Sequence, residues 1–389
     1  MDAPLTAYLS EPSLAIIRRG DGIVGIGEKF RITASGSMRF QKLSEAWQKL
    51  VAEAEISDEV QLPGTGLTAF GSFTFSEGSQ LESVLIVPEV IVGLRDGRSW
   101  VTHFGDSNLD PKIFSFRENA KVEFTDGDLS ADDYSAAVAT AVANMRRGEL
   151  EKVVLARDLQ GQVTTGFDLR SVIDGFTKDY PDCWSYAVDG TFGASPELLV
   201  RVSHGQVATR VLAGTSARGV DDAEDRDQVQ RLVGSGKNRF EHRLALESVV
   251  ESLKPLTARI DFDETPFAVL LPNLIHLASD VHAVIAEGAT GLDLVAALHP
   301  TAAVAGTPRA EALETIARLE NFDRGRFAAP VGWISANGDC EWAIALRGGQ
   351  LDGNTVKAYA GCGVVADSSS ENELAETELK FRPMREALG

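Results

Sequence analysis

PVGWISANGDCEWAIALRGGQLDGNTVKAYAGCGVV, residues 330–365, decides the fold. β-branched and aromatic residues fill its runs, and Asn337-Gly338 and Asp352-Gly353 are dipeptides that favour tight hairpin turns. The stretch reads as an antiparallel meander. After it, Glu371 to Ala387 reads as a helix; before it, short helices are expected at Leu292 to Leu298 and Arg309 to Leu319. Asp222 to Leu253 reads as one long helix stopped before Pro255, although Gly234 and Gly236 each weaken it by about 1 kcal/mol relative to alanine. Strands are expected at Lys152 to Leu159, Trp184 to Val188 and Leu198 to Leu212. Ser130 and Asp133 form a capping box that opens a helix with the apolar stripe Tyr134, Val138, Val142 and Met145, and Gly148 ends it. From Gly22 to Gly105 the chain is strand-rich, at Ile23 to Thr33, Leu67 to Phe75 and Ser83 to Leu94, with one helix from Ser37 to Glu55. Strands paired in meanders and separated by long helices predict an α+β fold rather than a βαβ series. No repeat, low-complexity tract or linker marks a domain boundary.

A chain of 389 residues with 44% hydrophobic content can bury a sizeable core. Its formal charge of −20 repels polyanions, which argues against nucleic acid or an anionic membrane as partner. An anionic substrate would need local cations or a metal to overturn that field. Cys183, Cys340 and Cys362 are odd in number and scattered, so neither a disulfide framework nor a zinc site is suggested. No apolar run approaches membrane-helix length, and the first residues lack a signal-peptide pattern, so the cytoplasm is expected.

The glycine clusters Gly22-Ile-Val-Gly25-Ile-Gly27, Gly64-Thr-Gly66 and Gly361-Cys-Gly363 do not form a dinucleotide fingerprint between a strand and a helix. The first two read as tight turns. The third lies at a strand end near the last helix, where bare backbone amides could meet an anion. In ELAETELK, Glu373, Glu376 and Lys380 fall at i, i+3 and i+7 on one helix face. In KNRFEH, Lys237, Glu241 and His242 make a second charged group. Each alone would be an ordinary solvated face. They occur, however, in order with KVVLAR (152–157), ASPELL (194–199), LAGT (212–215), IHL (275–277), LHPTAAVAG (298–306) and AGCGVVAD (360–367).

That ordered set resembles the chorismate-utilising enzymes: isochorismate synthases, salicylate synthases and the large subunits of anthranilate and aminodeoxychorismate synthases. The motifs run from about Glu149 to Arg385, and Phe70-Gly-Ser-Phe73-Thr-Phe75 is the best match in the more variable amino-terminal half. The resemblance implies a single chorismate-binding domain over 1–389, with a variable strand-rich part (1–120) and a motif-bearing catalytic part (130–389). It also implies the family fold of large antiparallel sheets flanked by helices, as in anthranilate synthase component I. It implies a magnesium cofactor, chorismate as substrate, and a monomer with no glutamine amidotransferase subunit.

Residue by residue, the match makes Lys152 the general base that activates water and Glu197 the general acid. Glu241 and Glu376 become magnesium ligands, supported by Glu373. Gly214, Thr215, His276, Ala303, Arg347, Gly361, Gly363 and Lys380 line the substrate or hold its carboxylates. Water adds at C2 of the diene while the C4 hydroxyl leaves, so one group must take a proton and another must supply one. A lysine is a base only when neutral, and a carboxyl is an acid near neutral pH only when burial keeps its proton on. Two facing glutamates repel unless a divalent cation lies between them, and oxygen ligation with room for water suits magnesium. Arg347 can hold the enolpyruvyl carboxylate in a bidentate fork.

Ammonia-using members of the family carry glutamine where this chain has Lys152, so the lysine implies water as the nucleophile. Salicylate synthases carry threonine at the position of Ala303, so the alanine implies that the reaction stops at isochorismate; salicylate synthase is the alternative. Three residues depart from the family pattern. Asn238 replaces an acidic residue, Gly236 a bulkier one, and Phe327 a frequent tyrosine. Loss of the acid would weaken magnesium binding, and loss of the phenol would alter substrate positioning. Menaquinone and siderophore pathways both stay open for the product.

Overall fold

The computed structural model describes residues 3–107, 109–270 and 274–389. Among them are an 11-stranded and a 10-stranded antiparallel sheet. The sheets face each other across one large core that takes Ile16 and Tyr186 from the first and Phe70, Trp333 and Trp342 from the second. The outer face of the first sheet packs on a second cluster, in which Ala15, Val24 and Phe192 meet Phe176 and Phe381 from helices Leu169–Asp179 and Ser370–Leu388. No helix among the described residues is long and apolar enough to cross a membrane.

The meander forms, but its two hairpins part company. Strands Pro330–Ser335 and Cys340–Ile344 belong to the second sheet, Gly348–Asp352 and Thr355–Val365 to the first. The amino-terminal runs divide in the same way. Ile23 to Thr33 is two strands, Asp21–Ile26 and Phe30–Ala34, in different sheets, parted at Gly27 with φ 69°. Ser83 to Leu94 splits beside Pro88 into Ser83–Val87 and Val90–Arg95. Each sheet has one seam between early and late strands. Leu14–Arg18 pairs with Trp184–Val188 in the first, and Thr68–Ser72 with Pro330–Ser335 in the second.

The helix from Ser130 forms as expected, with Ser130 Oγ accepting from Asp133 N and all four stripe residues buried. The long helix does not. It is Asp222–Gly234 followed by Gly236–Leu253, because Ser235 turns extended and caps the second helix by accepting from Asn238 N. Two glycines beside a strong capping residue favour a restart over a continuous rod. Leu198 to Leu212 is likewise a hairpin, Leu198–Ser203 and Gln206–Ala217, turning at His204-Gly205.

Candidate active site

Two sheet crossings lie side by side. The chain leaves Thr191–Ser195 in the first sheet and enters Leu198–Ser203 in the second through Pro196 and Glu197. It returns from Cys340–Ile344 to Gly348–Asp352 through Ala345, Leu346 and Arg347. The crossings bond to each other: Ile344 N donates to Glu197 O (3.1 Å) and Ala194 N to Arg347 O (3.3 Å). Arg347 takes a left-handed φ of 50°, a conformation that costs a side-chain-bearing residue about 1–3 kcal/mol and is concentrated at functional sites.

Both residues open onto a cavity of about 240 Å³, and every site residue singled out in the sequence lines it. Lys152 comes from strand Lys152–Gln162, and Gly361 and Gly363 from the neighbouring strand, where they pair with Ala156 and Val154. Gly214 and Thr215 sit in a bulge that shifts the register between Leu212 and Thr215. Gly214 has φ 80°, and a Cβ there would lie 3.3 Å from Asn238, so the helix carrying Glu241 can approach closely. Thr215 pairs with His276, and its hydroxyl is 3.0 Å from His276 Nδ1. Ala303 enters on the loop before strand Gly306–Thr307, and Glu373, Glu376 and Lys380 on the last helix.

The charges form a definite pattern. Lys152 Nζ donates to Glu241 Oε1 (2.8 Å). Lys380 Nζ lies 2.6 Å from Glu376 Oε1 and donates to Gly361 O (2.7 Å). Burial pushes Glu376 up, but Lys380, Cys362 and Arg347 together outweigh burial and hold the carboxyl below its ordinary range. Burial pushes Glu197 up to about 7, even against Arg347, Lys152 and Lys380. At neutral pH, therefore, this carboxyl retains a proton about half the time. Burial, then Arg347 and Lys380, push His276 down to about 4, so it is neutral. Burial also lowers Arg347, yet arginine stays charged. Its guanidinium makes no direct hydrogen bond or ion pair with a described residue, although it lines the cavity and feels the charges of Glu376 and Glu197.

Oxygen donors for a divalent cation come from two helices. Ligand atoms of Glu373, Glu376 and Cys362 lie within 4.8 Å of one another, while Glu241 faces Lys152. The carboxylates fit a hard cation, and Glu241 and Glu376 each already hold a cationic group, an ammonium. The charged KNRFEH face is only partly realised. His242 is buried, with Nδ1 3.1 Å from Ala213 O and Nε2 2.9 Å from Ser279 Oγ, so it pins the helix of Glu241 to the bulge. The side chain of Lys237 lies outside the described residues. Sequence reasoning also missed wall residues. Val154 and Tyr359 lie two positions from Lys152 and Gly361, a strand-period signal, and Tyr359 stacks on Phe327 with centroids 5.2 Å apart.

A half-buried guanidinium without a direct partner, a proton-bearing glutamate and carboxylates from two helices suit a cavity for a small polyanion held beside a cation. Residues 17–389 match the family described as chorismate binding enzyme. The chain is 30% identical to isochorismate synthase MenF of Bacillus subtilis, over 94% of this chain and 85% of that one. It is 32% identical to the salicylate biosynthesis isochorismate synthase of Pseudomonas aeruginosa, over 98% of this chain and 84% of that one. The solved structure of Bacillus anthracis DhbC superimposes with a TM-score of 0.81 at 29% identity, covering 99% of this chain and 98% of that one. The chain belongs to the chorismate-binding enzymes.

Proposed function

We propose that the chain is an isochorismate synthase that converts chorismate to isochorismate reversibly. The observation that carries the reading is Arg347, a cation that lines the cavity and makes no direct hydrogen bond or ion pair with a described residue, beside the proton-bearing Glu197. Arg347 holds the enolpyruvyl carboxylate, and each charge-assisted hydrogen bond contributes about 1.5–3 kcal/mol. Gly361 and Gly363 allow the ring to approach the backbone, and His276, neutral and bonded to Thr215, completes the opposite wall.

Lys152 first gives up its proton and leaves Glu241, and in its neutral form takes a proton from the water whose oxygen bonds to C2. The ring double bonds shift, and Glu197 gives its proton to the C4 hydroxyl, which departs as water. Magnesium, held by Glu241 and Glu376 with Glu373 in support, would fix the ring carboxylate and stabilise the charge that develops on the conjugated system. Ala303 keeps the wall small and apolar, which favours release of isochorismate over pyruvate elimination. The enzyme acts in the cytoplasm as a monomer without an amidotransferase subunit.

The test is turnover of chorismate with magnesium, with pyruvate followed through lactate dehydrogenase. Isochorismate without pyruvate is expected, with conversion back to chorismate when isochorismate is supplied. Arg347→Lys, which replaces a fork with a point charge, should raise KM by about tenfold to a hundredfold. No turnover, or pyruvate in step with chorismate loss, would overturn the reading.

A further inference from the structure

One edge of strand Lys152–Gln162 is paired along its whole length with Thr355–Val365. The other edge is interrupted. Gly306–Thr307 covers Lys152 and Val153, Val154 N donates to Ala305 O, and Phe124–Asp126 resumes the pairing at Leu159. Between them no strand among the described residues lies beside Val154 and Ala156, two buried residues. Buried backbone groups left unpaired there would cost about 1–3 kcal/mol each.

Two side chains take the strand's place. Arg324 Nη2 donates to Val154 O (2.8 Å), and Ala156 N donates to Glu320 Oε1 (2.7 Å). Arg324 Nε donates to Glu320 Oε2 (2.7 Å), so guanidinium and carboxylate form one planar unit, each side chain 2% exposed. The remaining arm, Nη1, donates to Val304 O (2.9 Å), and the guanidinium lies over the Phe75 ring at 4.3 Å. A true strand at this edge would run about 4.8 Å from Val154, where the Arg324 and Glu320 side chains now lie. Val154, Val304 and Arg324 all line the active-site cavity.

We propose that the Arg324–Glu320 pair is the positioning element of the active site. Standing in for an edge strand, it fixes the backbone that carries Lys152 against the loop that carries Ala303. It acts through these walls and donates nothing to substrate. The inference rests on the isochorismate synthase reading for its kinetic readout but not for its structural one.

The test pairs Arg324→Lys, which cannot reach Glu320, Val154 and Val304 together, with Glu320→Gln, which keeps an acceptor for Ala156 N. In Arg324→Lys, kcat should fall about tenfold to a hundredfold, the scale of a misplaced reacting group, while KM and half-saturating magnesium stay within about threefold. Amide exchange over residues 153–157 should quicken, while exchange in the helix Gly236–Leu253 stays at the wild-type rate. Glu320→Gln should show the same pattern more weakly, and it carries both readouts if the lysine variant does not fold. An unchanged kcat, or exchange that quickens uniformly along the chain, would overturn the proposal. Exchange needs no substrate, so failure of wild-type turnover would count against the functional reading and leave the local effect to be judged by exchange alone.

Discussion

Glu197→Gln tests the electrostatics of the cavity most directly, because it keeps the shape and removes the proton. Burial raises this carboxyl from its ordinary 4.5 to about 7, a difference worth about 3 kcal/mol between its protonated and charged forms. The sign follows from where the proton sits. Below about pH 4.5 folded and unfolded chains both carry it. Between 4.5 and 7 the unfolded chain loses the proton and the folded one keeps it, so wild-type stability falls by about 3 kcal/mol across that window and stays reduced above it. The amide has no such loss. Urea denaturation without metal or ligand should therefore find the variant more stable by about 3 kcal/mol at pH 8 and by less than about 1 kcal/mol at pH 5. Its kcat should meanwhile fall by about 10²–10⁴, the usual contribution of a positioned acid, and the wild-type decline in kcat/KM above pH 7 should disappear. Parallel stability curves for the two proteins would refute the buried-acid argument even if activity were lost.

Lys152→Gln should abolish water addition with the fold intact; retention of more than about a tenth of wild-type turnover would exclude this lysine as the base. Activity should vanish in excess EDTA, and Glu376→Ala should show weakened magnesium binding by calorimetry, since a ligand and the partner of Lys380 go together. Full activity in EDTA would sink the metal assignment. Gly363→Ala would place a Cβ 3.0 Å from Lys152 Cε, tight enough to push the side chain aside. A loss in kcat with little change in thermal midpoint is expected, and an unaffected kcat would show that Lys152 has slack.

The site was legible in the sequence because its chemistry is carried by short motifs, each confined to one strand end or helix turn. ASPELL and AGCGVVAD occupy a crossing and a strand that place Glu197, Gly361 and Gly363 in one cavity. The pairing of elements was less legible, because a strand's pattern does not say which sheet it joins. Ile23 to Thr33 reads as one strand-rich stretch, yet at Gly27 its halves part to opposite sheets. The break at Ser235 was hidden because its cap competes with a helix that composition otherwise allows. Strand Arg98–His103 and helix Leu169–Asp179 were missed, the first being mostly exposed and the second only 11 residues long. Arg324 and Glu320 read as an ordinary i,i+4 pair, since the backbone atoms they serve lie 20 to 170 positions away.

The two seams between early and late strands bear on how such a chain can be recombined. Ala15 faces Ala187 in one sheet and Gly71 faces Gly332 in the other, and a Cβ on Gly71 would come within 2.5 Å of the Trp342 ring. A chimera that took its first hundred residues from a relative would have to match both registers and the small residues along them. A mismatch in either would be felt at Pro330–Ser335 or Trp184–Val188, each one hairpin away from a sheet crossing that presents Arg347 or Glu197. Divergence in the amino-terminal part is thus free on its outer strands and constrained along these two lines, and shuffled libraries should yield active enzymes only when both seams are inherited from a single parent.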